Sequence, residues 1–94
     1  MIKSFKHKGL EDFYKTGSIK GIQAIHKDRL QVILNRLNLM ERIQDVNFPG
    51  SRLHKLKGSM QNLWSVTVHA NWRITFEYNE KTADVYIIDY QDYQ

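Results

Sequence analysis

From Leu53 to Gly58 the chain reads LHKLKG, and from Trp64 to Tyr78 it reads WSVTVHANWRITFEY. These stretches carry His54, Lys57 and Arg73 through a region with no carboxylate from Val46 to Phe76, to which Arg52 and Lys55 add further cations. Histidine is the side chain whose ordinary pKa lies near neutrality, so His54 is the candidate proton carrier. Lys57 and Arg73 are candidate phosphate ligands, and the planar fork of Arg73 can hold two phosphate oxygens at once. Such a set suits RNA cleavage without a metal ion. The 2′-hydroxyl of the substrate attacks its own phosphodiester, and the protein need only move protons and neutralise charge on the phosphorane. Tyr86, Tyr90 and Tyr93 could stack on bases, although core packing is the stronger reading for Tyr86. A solvated basic sheet face, with His54 hydrogen-bonded at a strand edge, would leave the same pattern, so the residues alone keep both readings open.

Other chemistries lack their residues. The chain has no GxSxG, no Walker loop, no HExxH and no cysteine, and His7, His26, His54 and His69 show no ligand spacing, so neither metal nor cofactor is expected. His7 and His69 read as surface histidines. His26 interrupts a helical pattern and reads as a packed or boundary residue.

The elements that must hold these residues follow from periodicity. Ile2 to Phe5 suggests a short strand, and Leu10, Phe13 and Tyr14 suggest a helix from His7 to Thr16 stopped by Gly17. Leu30, Ile33, Leu34 and Leu37 give one face of a longer helix from about Gly21 to Met40. Pro49 and Gly50 mark a connection. Trp64, Val66 and Val68, and after an Ala70–Asn71 turn Trp72, Ile74, Phe76 and Tyr78, alternate with polar residues, which places both tryptophans in the core and Arg73 on the opposite face. A strand from Ala83 to Tyr90 has apolar residues on both parities, as for a strand covered on both sides. The fold class is α+β: two N-terminal helices, paired as a hairpin, on one face of a small, largely antiparallel sheet.

Ninety-four residues suit a single domain spanning 1–94. The net charge of +4 is concentrated in the middle, whereas from Glu77 onward five carboxylates face only Lys81, so an anionic partner is indicated, nucleic acid first. No apolar run is long enough to span a bilayer and MIKSFKHKG is too polar for a signal peptide, so a cytoplasmic protein without membrane association is expected.

Read as strings, MIKSFKHKGL, LHKLKG, WSVTVHANWRITFEY and the closing YQDYQ resemble the HigB branch of the RelE/ParE toxin superfamily, the plasmid maintenance killer proteins, over nearly the whole chain. The resemblance implies a compact α+β toxin that cleaves messenger RNA on the ribosome. It also implies neutralisation by a HigA-type helix-turn-helix antitoxin, through which alone the toxin would meet operator DNA. Carried over residue by residue, it assigns His54, Lys57, Arg73, Asp92 and Tyr93 to catalysis, with His54 and Asp92 expected to share proton transfer; Arg52 and Lys55 of the basic stretch, and Gln94, are expected to bind substrate. Where the family usually closes Asp-Tyr-His, this chain has Asp92-Tyr93-Gln94, and glutamine can hydrogen-bond but cannot exchange a proton near neutral pH. A gyrase-poisoning relative of the ParE kind, or a catalytically impaired antitoxin-binding homologue, would share the scaffold; a stand-alone RNA-binding protein is weaker, since no RNP motif or GXXG loop is present.

Overall fold

A computed structural model of the chain describes residues 1–58 and 63–93. In order these form α1 (Lys8–Thr16), a 3₁₀ turn (Ala24–His26) running into α2 (Lys27–Leu39), a second 3₁₀ turn (Ile43–Val46), and then β1 (His54–Lys55), β2 (Leu63–His69), β3 (Trp72–Asn79) and β4 (Asp84–Asp92). The four strands make one antiparallel sheet in sequential order. The expected first strand is reduced to two parallel bridges, Ile2 to Val85 and Phe5 to Ile88, which flank β4 on its free side. The architecture is α+β, as the periodicity predicted.

His7 does more than sit at the surface: its Nδ1 accepts the Leu10 backbone N–H at 3.0 Å and caps α1. Gly17, at φ 81°, ends the helix by donating its N–H to the Phe13 carbonyl. The i,i+4 pairs Lys8–Asp12 and Lys15–Glu11 are exposed and screened by solvent, so they contribute little. Buried Leu10 and Phe13 are each worth roughly 1.5–3 kcal/mol, so packing rather than charge holds α1 in place. The second helix begins later than its apolar stripe suggests, because Gly21 lies against Gly9. A Cβ on Gly9 would come within 2.5 Å of the Gly21 carbonyl oxygen, so the two backbones touch there and the chain turns before it can wind. Leu30, Ile33, Leu34 and Leu37 of α2 join Val66, Ile74, Phe76, Val85 and Ile88 of the sheet in one core. Trp64 and Trp72 pack against it from its margin, partly buried.

In β4 the structure departs from the sequence reading. The pairing runs Tyr78 with Val85 and Glu77 with Tyr86, then shifts by one residue to Thr75 with Asp89 and Ile74 with Tyr90. Ile87 and Ile88 together oppose Phe76. Ile87 adopts φ 48°, a costly conformation for a β-branched residue, while its N–H is held by Ser4 Oγ at 2.8 Å. Apolar residues occupy both parities because the strand changes phase at this bulge, not because both faces are covered. Tyr86 consequently lies in the row of Glu77 and outside the core cluster, contrary to its expected packing.

His26 is almost fully buried, against Tyr90, Trp72 and His69 at ring separations of 6.0, 5.5 and 5.5 Å. Its Nδ1 lies 2.6 Å from the Tyr90 hydroxyl, which also accepts the Gln23 N–H. Burial, and secondarily the neighbouring His69, hold the His26 pKa below 6.5, while burial raises that of Tyr90, so both stay neutral and the phenol donates to the imidazole. Tyr90 is therefore a core residue and not a platform for bases. His69, although exposed, is part of this cluster. The depressed His26 pKa makes the unfolded chain take up a proton first as pH falls through 6.5, so this contribution to stability is complete above that pH and declines below it. Thermal melts at pH 8 and 5.5 should show wild type losing more stability on acidification than His26→Gln; equal losses would contradict the assignment.

Candidate active site

The helices cover one face of the sheet, and strand alternation sends a second set of side chains to the other. Two transverse rows lie on this second face: exposed His54 with buried Ser65, Thr75 and Asp89 in one, half-buried Thr67, Arg73 and Gln91 in the next. Register alone places the Cα atoms of His54 and Arg73 roughly 12 Å apart, two strands and two residues away from each other.

Thr67, on the strand between them, is linked to both sides of that gap. The half-buried Arg73 donates through Nη1 to Thr67 Oγ1, which draws the guanidinium from β3 over β2, toward His54. The backbone N–H of Thr67 donates to the Ser51 carbonyl at 2.6 Å, fixing the segment that leads into β1. The next carbonyl, that of Arg52, lies 3.0 Å from His54 Nδ1. Arg52 has φ 47°, a strained conformation for a non-glycine residue, and it is held between the Ser51 bond on one side and the His54–Ser65 pairing on the other. One threonine thus ties the phosphate-binding candidate to the loop that orients the imidazole. Among the described residues no carboxylate forms an ion pair with Arg73, His54, Lys57, Lys55 or Arg52.

The remaining candidates divide. Lys57 is exposed in the turn that follows β1, just after the Leu56 N–H bonds the Leu63 carbonyl. Lys55 pairs with Trp64, so alternation turns it away from the His54 face; Arg52 is exposed beside Thr67. Tyr93 is 39% exposed and follows Gln91 on the Arg73 side, its N–H bonded to the Asn71 carbonyl at 2.9 Å. Asp92 pairs with Trp72, which puts its Cβ on the opposite face, and three strands separate it from His54, roughly 17 Å by register. Gln94 lies outside the described residues.

The sequence reading missed Thr67, Asp89 and Gln91. Thr67 shares its parity with Arg73 across the Ala70–Asn71 turn, a signal available from the letters. Asp89 and Gln91 were hidden by the phase change in β4. Asp89, nearly buried, accepts from Gln91 Nε2 and from the Tyr90 N–H, with Lys6 Nζ at 4.0 Å, so the carboxylate-free middle of the sequence meets a carboxylate in space. Among the described residues no three His, Asp or Glu side chains converge as metal ligands.

Carbonyls accept, so the Arg52 contact puts the proton of neutral His54 on Nδ1 and leaves the Nε2 lone pair free. Long-range ¹H–¹⁵N spectra at pH 8 should report this Nδ1–H tautomer; a dominant Nε2–H form would show that the contact does not orient the ring.

Comparison with known proteins identifies the family. The family model for the RelE-like toxin of the type II toxin-antitoxin system HigB matches residues 3–94. A curated protein of Proteus vulgaris, Endoribonuclease HigB, is 43% identical over 93 residues, covering 99% of each chain. With the family pattern running from Lys3 through the sheet and into the tail, the chain belongs to the HigB-like, RelE-like toxins of type II toxin-antitoxin systems.

Proposed function

We propose that the chain is a ribosome-dependent endoribonuclease that cuts messenger RNA in the cytoplasm, arresting translation and growth, and that a HigA-type helix-turn-helix antitoxin neutralises it. The observation that carries this reading is the linkage through Thr67: its hydroxyl holds a guanidinium without a carboxylate partner among the described residues, and its backbone N–H ties down the loop whose Arg52 carbonyl meets the His54 imidazole on the same sheet face. The name and the 43% identity of the Proteus vulgaris relative support the same chemistry.

In this reading Nε2 of His54 takes the proton of the 2′-hydroxyl as the 2′-oxygen bonds to phosphorus. Arg73 holds non-bridging phosphate oxygens and offsets charge on the phosphorane, with Arg52 guiding the adjoining phosphate. The bond to the 5′-oxygen breaks as that oxygen takes a proton from the ammonium of Lys57, leaving a 2′,3′-cyclic phosphate and a 5′-hydroxyl. The substrate supplies the nucleophile, so no step calls for a metal ion. Tyr93 stacks on a flanking base, and Gln94 adds a hydrogen bond. Asp92, turned to the other face, fixes the tail and carries no proton. Lys55 meets the ribosome rather than the scissile phosphate. His54, Arg52 and Lys57 are all exposed on open surface, which suits a partner that holds the message in place.

Growth arrest, and cleavage of ribosome-bound message mapped by primer extension, should be lost by at least about 10²-fold in His54→Ala and in Arg73→Ala. Thr67→Val should cost about tenfold, the worth of one hydrogen bond to a charged group. Intact messages during arrest by wild type, or arrest accompanied by DNA damage, would overturn the reading in favour of a gyrase poison. In the same assay Gln94→His should raise the cleavage rate, by up to about 10²-fold, by adding a second group that exchanges protons near neutral pH.

A further inference from the structure

The outer face of α2 bears a feature that neither the core nor the candidate active site uses. Ile25 and Leu39 are each 76% exposed and Val32 is 44% exposed. Val32 and Leu39, seven residues apart on α2, form an apolar line roughly 10 Å long, turned well away from the buried Leu30, Ile33, Leu34 and Leu37, and Ile25 precedes them in the 3₁₀ turn that leads into the helix. Along one side of this line run Arg29 and Arg36, again seven apart, and both guanidiniums stack on the Phe48 ring at 4.8 and 4.7 Å. Neither forms an ion pair among the described residues. Stacking fixes their positions without neutralising their charge, so two cations stand pre-ordered beside an apolar seam. Where the seam ends, Arg36, Leu39, Met40, Gln44, Asp45 and Asn47 line a cleft, and Arg36 Nη1 donates there to the Asp45 carbonyl.

We propose that this seam is the docking surface for the antitoxin, through an amphipathic helix with apolar residues at seven-residue spacing and carboxylates over Arg29 and Arg36. A partner is implied by membership of a type II system, and charge decides what kind of surface it presents. Antiparallel pairing of α2 with a second copy would set Arg29 and Arg36 against the same residues, so like charges oppose self-association, whereas an acidic flank would satisfy them. The inference rests on family membership and not on the nuclease reading, and a dissociation constant is blind to catalysis.

The test is titration of the full-length toxin with its full-length cognate antitoxin. Val32→Asp/Leu39→Asp should weaken binding by at least about tenfold, and Arg29→Glu/Arg36→Glu by a similar factor that shrinks as salt is raised. Ile19→Asp, another exposed apolar residue outside the seam, should bind as wild type. Thermal melts establish that each variant is folded, and a conservative pair, Val32→Ser/Leu39→Ser, replaces any that is not. Unchanged affinity in the folded seam variants would overturn the proposal. So would a toxin that sediments as a dimer until Val32 and Leu39 are changed, which would assign the seam to a second copy.

Discussion

The bond from Arg73 to Thr67 is the constraint on which the site depends. An arginine on β3 free to extend into water would sit two strands from the imidazole, and its entropy would resist any single placement. Bonded to Thr67, it is half-buried, aimed across β2, and anchored to a residue whose own backbone N–H grips the loop before β1. The donors and acceptors are thereby set before any ligand arrives, which is the condition under which electrostatic stabilisation gains most. Such an arrangement tolerates an edge strand as short as β1, because the loop is tethered by Thr67 as well as by pairing.

The helices support this arrangement from below. Most of the stability of so small a chain lies in the shared core of α2 and the sheet, each large buried side chain contributing several times what an exposed ion pair does. A polar contact reaches into that interior, the bond between His26 and Tyr90, and it joins the start of α2 to β4 two residues before the tail. A buried polar pair of this kind is tolerable only when satisfied, and the Gln23 N–H completes it.

Much of this was legible in the letters, for identifiable reasons. The α+β order, the Ala70–Asn71 turn and the opposition of Arg73 to the tryptophans all follow from strict alternation, which β2 and β3 display. Apolar runs at helical spacing gave α2 its buried face, but its start was misjudged because contact between Gly9 and Gly21 is a tertiary matter invisible to periodicity. His7 gave no sign of capping, since histidine is an uncommon choice there. His54 and Arg73 were recognisable by chemistry, whereas Thr67 became significant only when pairing brought the residues beside it into view. Asp92 looked like a partner for His54 because proximity to Tyr93 in the sequence says nothing of face.

The bulge at Ile87 accounts for that last difficulty and has a wider meaning. Followed without interruption, the register of the β3–β4 hairpin would set Thr75 against Ile88 and Arg73 against Tyr90. Asp89, Gln91 and Tyr93 would then be pressed toward the helices, and an aromatic ring belonging to the interior would be turned out beside the guanidinium. One extra residue in a strained conformation sets the facing of the second half of β4. The tail's chemistry is therefore encoded partly as a count: a relative could retain every one of these side chains and, by the loss of a single position in this strand, present them to the wrong side of the molecule.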